Sequence, residues 1–165
     1  KPMYILDNQT NTLVEAEIVK GTLQDMPLKK NGWDFNWRAE IKETGKEVFI
    51  LRLLSDDSVQ GALSLRKHQG MLTMDLVEIA PHNKGQTDKR YKYVAGCLIA
   101  YACQESLKLE GNYRGYLDFV SKTVLIGLYR TKYYAQSTIG QKMYIDPIGG
   151  KKLIEEYLNR KKDEK

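Results

Sequence analysis

A single carboxylate interrupts the apolar run LVEIA at positions 76–80. Glu78 would lose hydration there, which raises a carboxyl group's affinity for a proton, so it must be paired or functional. Two readings stay open: a base that takes a proton from an attacking nucleophile, or a side chain that points off the covered face and bonds a lysine. A few residues on, Lys84, Lys89, Arg90 and Lys92 put four cations within nine positions, just ahead of a helical pattern. Backbone N–H groups at a helix start, with the positive end of the helix dipole behind them, bind anions. The segment therefore reads as a cradle for a diphosphate, the alternative being charges that decorate an exposed loop. No Ser/His/Asp order, GxSxG elbow, GxxxxGK[ST] loop or HExxH motif occurs, which disfavours hydrolase, NTPase and metalloprotease chemistry. His68 in a turn and His82 past a strand end read as surface residues. Cys97 and Cys103, six apart in a helical pattern, fall on nearly opposite faces, and with two histidines they form no zinc spacing. Neither a disulfide nor a metal is expected.

These residues need elements to position them. The first half alternates apolar and polar residues: Thr12 to Lys20, and Gly32 to Ile41 with Trp33, Phe35, Trp37, Ala39 and Ile41 on one side. Glu47 to Leu54, Val59 to Lys67 and Met71 to Ala80 follow, separated by turn signals, so that together they predict an antiparallel meander. Trp33 and Trp37 can line a ligand cleft or be buried in the core. The second half changes period. One long helix is predicted within Lys89 to Leu109, on the stripe Val94, Leu98, Tyr101, Ala102, Cys103 and Leu107, with Gly111 as terminator. Gly115 to Val120 is a strand, and Ser121 a cap for a helix with Val124, Leu125 and Leu128 on one face. Met143 to Ile145 is a strand. Asp146-Pro147 opens a last helix over 147–162 with Ile148, Leu153, Ile154, Tyr157 and Leu158 on its apolar face. Such a succession is an α/β (α+β) layout in which helices cover a sheet, and ligands bind where its strands end.

The chain of 165 residues, 42% hydrophobic and 28% charged, fits one domain over 1–165. It has no apolar run of membrane length and no hydrophobic leader, so a cytoplasmic protein without membrane attachment is expected. The net charge of +5 suits an anionic partner, although Arg160, Lys161, Lys162 and Lys165 belong to a tail that reads as solvated.

The ordered set LVEIAPHNKG (76–85), RYKYVAGCLIAYACQESLKLEG (90–111), GYLDFV (115–120) and LIGLYRTKYY (125–134) resembles the core of the GNAT acyltransferase superfamily over about residues 47 to 145. Ile79-Ala80-Pro81 is similar to the Val-x-Pro step that ends the family's central strand. Arg90-Tyr91-Lys92-Tyr93-Val94-Ala95 resembles its pyrophosphate loop at the first and last positions, with Gly96 after it. Tyr93 stands where the family commonly has glycine. Leu128 to Tyr134 is similar to Leu-Tyr-x-x-x-Gly-Phe, with Tyr133 and Tyr134 in place of Gly-Phe, and Lys122 stands where Asn is frequent. The resemblance implies a mixed, mostly antiparallel twisted central sheet flanked by helices. It also implies acetyl-CoA or another acyl-CoA as cofactor, bound by Ile79, Arg90, Tyr91, Lys92, Tyr93, Val94, Ala95 and Gly96, and transfer of the acyl group to an amine by direct attack.

In that reaction Glu78 lies near the thioester as the base, and the resemblance makes Tyr129 the acid that protonates the leaving thiolate; the other reading of Tyr129 is ring packing beside Leu125. Trp33 and Trp37 become acceptor-site residues, and no segment between Thr10 and Asn31 matches the family's helical acceptor-site elements. The acceptor class is open among a small amine, a peptide and aminoacyl-tRNA, and a homodimer is equally open. The rival reading is a non-catalytic protein of the same fold that binds a partner, which the departures at Tyr93, Lys122 and Tyr133 favour. Direct nucleic-acid binding through the basic loop and tail is the weakest, because no aromatic and basic residues interleave in a nucleic-acid motif.

Overall fold

The alternation read from Thr12 onward becomes a run of antiparallel ladders. A computed structural model describes residues 2–85 and 87–164. Its strands are β1 (Met3–Asp7), β2 (Thr12–Lys20), β3 (Lys46–Leu53), β4 (Val59–His68), β5 (Met71–Ile79), β6 (Tyr91–Lys92), β7 (Leu117–Val120), β8 (Gln136–Ser137) and β9 (Lys142–Ile145). Its helices are α1 (Trp37–Lys42), α2 (Val94–Ser106), α3 (Ile126–Lys132) and α4 (Pro147–Leu153), and α4 runs on into a π-helical turn, Ile154–Leu158. Among the described residues the strands form one mixed sheet, ordered β6-β1-β2-β3-β4-β5-β7-β9-β8. Every pairing is antiparallel except β5 with β7. No described helix is long and apolar enough to cross a membrane.

Both faces of the sheet centre are covered, which is why EVFILRLL is nearly continuously apolar. Phe49, Leu51 and Leu53 join the core under α2, while Val48 and Ile50 join a second core with Met26, Trp33 and Trp37. The glycine Gly61 lets α2 descend onto β4: a Cβ there would lie 2.7 Å from Leu98 and 2.8 Å from Val94. On its other side α2 carries the chain's end, and the ring of Tyr157 fills the space where a Cβ of Gly96 would stand. Covered twice, α2 is buried nearly all round, not along a single stripe.

Four expectations need correction. Gly32 to Ile41 is not a strand. Trp33, Trp37 and Ile41 recur every four residues as well as on every second one, and the cap decides between the two periods. Asn36 accepts from the Ala39 amide at 3.1 Å and starts α1. The stretch before it holds two three-residue 3-10 turns, Leu23–Asp25 and Lys29–Asn31, and no α-helix. Ser121 caps nothing: its hydroxyl donates to the Lys122 carbonyl, and a 3-10 turn, Thr123–Leu125, leads into α3. Val124 and Leu128 are exposed, and so is Ile148 in α4, whereas Leu153, Tyr157 and Leu158 are buried as expected. The Asp146 cap is present, its Oδ1 accepting from the Gly149 amide at 2.8 Å. The last helical segment ends at Leu158, short of residue 162.

The ladder between β4 and β5 carries one irregularity. Ser64 of β4 opposes Leu76 of β5, but the next residue, Leu65, opposes Met74, so Asp75 is bulged out of the ladder. The parallel ladder between β5 and β7 holds only Leu72 with Leu117 and Thr73 with Asp118, and stops just before that bulge.

Gly96→Ala is expected to destabilise the fold by about 1–3 kcal/mol in urea unfolding, because the new methyl group overlaps the Tyr157 ring. The same substitution made in a Tyr157→Ala background should cost far less.

Candidate functional site

Beyond the Asp75 bulge β5 and β7 part, and a cleft of about 350 Å³ opens between them, within the range of ligand pockets, about 300–1,000 Å³. Leu76 to Ile79 form one wall and Phe119 to Lys122 the other, and Ala95 and Ile99 of α2, Leu125, Leu128 and Tyr129, and Asp34, Phe35 and Lys84 at the far side are among the other lining residues. Residues Leu76 to Ile79 pair with β4 alone. Their other edge, including Ile79, presents backbone donors and acceptors to the cleft, as strand addition requires.

Glu78 lines this cleft with its side chain 3% exposed. Its Oε2 accepts from the Asp34 amide at 2.6 Å and from Lys84 Nζ at 2.9 Å. Its Oε1 accepts from Trp37 Nε1 at 2.8 Å and from the Phe35 amide at 3.2 Å. Four donors fill the lone-pair positions of a carboxylate. Glu78 thus bonds a lysine, as its second reading held, but it is buried on the cleft wall and does not point off a covered face, and it also ties the turn before α1 to β5. Lys84 reaches Asp34 Oδ2 at 2.9 Å as well. Burial works against the Lys84 charge, but its bonds to Asp34 and Glu78 outweigh that and hold its pKa above the ordinary lysine value. The same lysine holds the Asp34 carboxyl below its ordinary range.

Tyr129 lines the cleft from α3, its ring 4.8 Å from Phe119 and 5.8 Å from Tyr133 between centroids. It therefore packs against rings, while its hydroxyl has no hydrogen-bond partner among the described residues. Burial raises its phenol above the ordinary value. Tyr133 is buried, and Tyr134, next in the chain, holds a left-handed φ of 60°.

The start of α2 explains why glycine would suit the position of Tyr93. That residue is the N-cap, with φ 80°, a left-handed conformation natural to glycine. No side chain caps this end, so the first-turn amides of Val94, Ala95 and Gly96 keep the open donors of a helix start. The Arg160 guanidinium lies 4.0 Å over the Tyr93 ring, and its Nε is buried without a hydrogen-bond partner among the described residues. The expectation that Arg160 belongs to a solvated tail is thereby corrected. Only the fold reveals it, because sixty-seven positions of chain separate the two residues.

The other expected site residues are dispersed. Arg90 turns its fork to Asp7, at 3.2 and 3.3 Å, and lies over the Tyr91 ring. Tyr91 and Val94 are core residues, Gly96 is packed under Tyr157, and Lys92 is exposed on β6. Trp33 and Trp37 do not line the cleft. At 7% and 0% exposure both belong to the core under α1, and the aromatic residue that this segment gives to the cleft wall is Phe35. A larger hollow of about 960 Å³ lies between Asn8-Gln9 and Asp88 to Lys92. It has a polar lining and shares no wall residue with the cleft, so it holds none of these candidates except Arg90, Tyr91 and Lys92.

No family model and no curated protein sequence matches the chain. Solved structures do match its fold. A single-site variant of the spermidine N-acetyltransferase SpeG from Vibrio cholerae is 13% identical with a TM-score of 0.53, the alignment covering 79% of this chain and 92% of that one. Apo FdhC, described as a nucleotide-linked sugar GNAT, is 14% identical with a TM-score of 0.52, covering 96% and 97%. The chain has the GNAT fold.

The Asp7–Arg90 pair anchors the segment before α2, and it fixes a pH dependence. The Arg90 hydrogen bond, opposed by burial and aided by the Gln9 amide, holds the Asp7 carboxyl below its ordinary value. The unfolded chain then binds the proton more readily, so this contribution is complete above the ordinary carboxyl range, about pH 4, and is lost as pH falls through the lowered value. Urea unfolding of the wild type and Asp7→Asn should differ at pH 7 and draw together as the pH falls below the ordinary carboxyl range.

Proposed function

We propose that this GNAT-fold chain transfers an acyl group from an acyl-CoA to an amine by direct attack. The observation that carries the reading is the cleft at the parted strands β5 and β7, which shares Ala95 with the uncapped first turn of α2. The residues present fit such a cofactor. The free edge of Leu76 to Ile79 would pair with the amide-bearing arm, and the Val94, Ala95 and Gly96 amides with Arg160 would hold the diphosphate. The orphaned Nε of Arg160 is the polar atom that an anion there would satisfy. When bound, an acyl-CoA supplies the activated carbonyl and the thiolate leaving group.

The chain's own residues then handle protons. An amine must lose a proton as its nitrogen bonds the carbonyl carbon and the carbon–sulfur bond breaks. Glu78 is the carboxylate in the cleft suited to accept that proton, once one of its four donors is released. Tyr129 retains its proton at neutral pH, since burial raises its phenol, and can give it to the sulfur. The ring contacts with Phe119 and Tyr133 hold that phenol in place.

A second reading, a non-catalytic binding protein, is favoured by one observation: a tyrosine occupies the left-handed position at the start of α2, where its ring competes with a phosphate for space.

Thermal denaturation with acetyl-CoA separates the two. A melting temperature that climbs with ligand concentration supports transfer, and no shift at millimolar ligand leaves the binding-protein reading. Arg160→Ala should weaken binding about tenfold, the loss of one charge-assisted contact. With a small amine as acceptor, Tyr129→Phe should lower kcat about 100-fold and leave KM for the acyl-CoA within about twofold. Unchanged turnover would remove Tyr129 from the acid role.

A further inference from the structure

We infer that the Lys84 ammonium occupies the seat of the amine acceptor, and that the acceptor is a primary alkylammonium ion that must displace it, an inference that rests on the acyl-transfer reading above. Lys84, Asp34 and Glu78 all line the cleft between β5 and β7. The lysine Nζ stands 2.9 Å from Asp34 Oδ2 and 2.9 Å from Glu78 Oε2, so an alkylammonium already sits in the cleft, carried on the protein's own chain. The two carboxylates are graded in depth: the Glu78 side chain is 3% exposed, that of Lys84 34%, and that of Asp34 72%. An entering cation meets Asp34 at the mouth and Glu78 at the inner end.

The rest of the cleft wall specifies what the ammonium is attached to. Val120, Leu125 and Leu128 line it, and Val120 and Leu128 are 69% and 45% exposed, far more than core residues of their kind. An aliphatic chain leaving the ammonium would cover that apolar surface. At the seat itself the oxygens of Asp34 and Glu78 repel an anionic headgroup, although Lys122 also lines the cleft, and a neutral alcohol would leave the ion site without its cation. A tethered lysine competes at an effective concentration on the order of millimolar, which raises the concentration of free amine needed to bind. Displacing it also releases one lone pair of Glu78 Oε2. The acceptor ammonium gives its first proton to solvent at the cleft mouth, and the amine so formed gives its second to Oε2 as its nitrogen bonds the carbonyl carbon and the thiolate leaves with the Tyr129 proton. Occupation of the seat and activation of the base thus become one event.

The test is thermal denaturation with n-hexylammonium as probe and no acyl-CoA present, on the wild type and on Lys84→Ala. The variant should show a saturable rise in melting temperature with a midpoint at least about tenfold below that of the wild type, and n-hexanoate and n-hexanol should have no effect. Adding Asp34→Asn to Lys84→Ala should raise that midpoint about tenfold. A measurement on the wild type needs no folded variant: the Lys84 Nζ resonance should shift towards that of a solvated lysine as hexylammonium is added, and an unmoved resonance at millimolar probe overturns the inference. Equal midpoints in the two proteins, or equal stabilisation by hexanoate, also overturn it. Protein that binds hexylammonium but not acetyl-CoA keeps the ammonium seat and loses the transfer reading. Protein that binds acetyl-CoA but not hexylammonium keeps transfer and loses the seat.

Discussion

Asp75 is one residue too many for the ladder between β4 and β5, and the bulge it makes is held from the side. Arg66 grips its carboxylate with two bonds, at 3.0 and 3.3 Å, and Lys46 stands 3.6 Å away. Upstream, β5 still pairs with β7 through Leu72 and Thr73; downstream, the two strands part. A buried backbone group without a partner costs about 1–3 kcal/mol. The open edge of Leu76 to Ile79 is therefore tolerable only because the parting of the strands admits water or a ligand. The cleft, its lining from α2 and α3, and the place of Glu78 on its wall all follow from that bend.

The second constraint is the way Glu78 joins two layers. Its partners come from the turn before α1, from the indole of Trp37 and from the loop that follows β5. Removing the carboxylate would strand a buried indole N–H and backbone amides at about 1–3 kcal/mol each, while the half-exposed Lys84 loses little. The covering of the sheet's second face thus depends on the same group that the cleft offers to chemistry. Structural and chemical duty share one side chain, and the cationic partner is the one that can leave at small cost.

A third feature lies at the start of α2 and the end of α3, where Tyr93 and Tyr134 hold left-handed backbone conformations at φ 80° and 60°. For residues other than glycine such conformations cost of order 1–3 kcal/mol and persist where the surroundings over-determine them. At Tyr93 the surroundings are visible: Arg160 stacks on the ring, and Tyr157 meets it edge-on at 6.3 Å. The chain's final helical segment thereby replaces, by packing, the freedom that a glycine would have had.

What was legible in the residues was whatever depends on near neighbours. Period-two alternation placed β2, turn signals between apolar runs placed β3 to β5, the apolar spacing after Val94 placed α2, and Asp146-Pro147 placed the start of α4, because ladders, turns and caps are short-range. The solitary Glu78 marked the cleft wall, since an ionisable group in an apolar strand has to be accounted for wherever it folds. The spacing of Trp33, Trp37 and Ile41 fitted both a strand and a helix, and the Asn36 cap settled it only within the folded turn. Lys84 and Arg90 looked alike as loop cations. Which of them faces Glu78, which faces Asp7, and that Arg160 from the far end of the chain comes to lie over Tyr93, are outcomes of packing between distant segments. Pairing energies of that kind do not exist until the sheet and α2 have brought the partners together, and so they leave no local pattern to read.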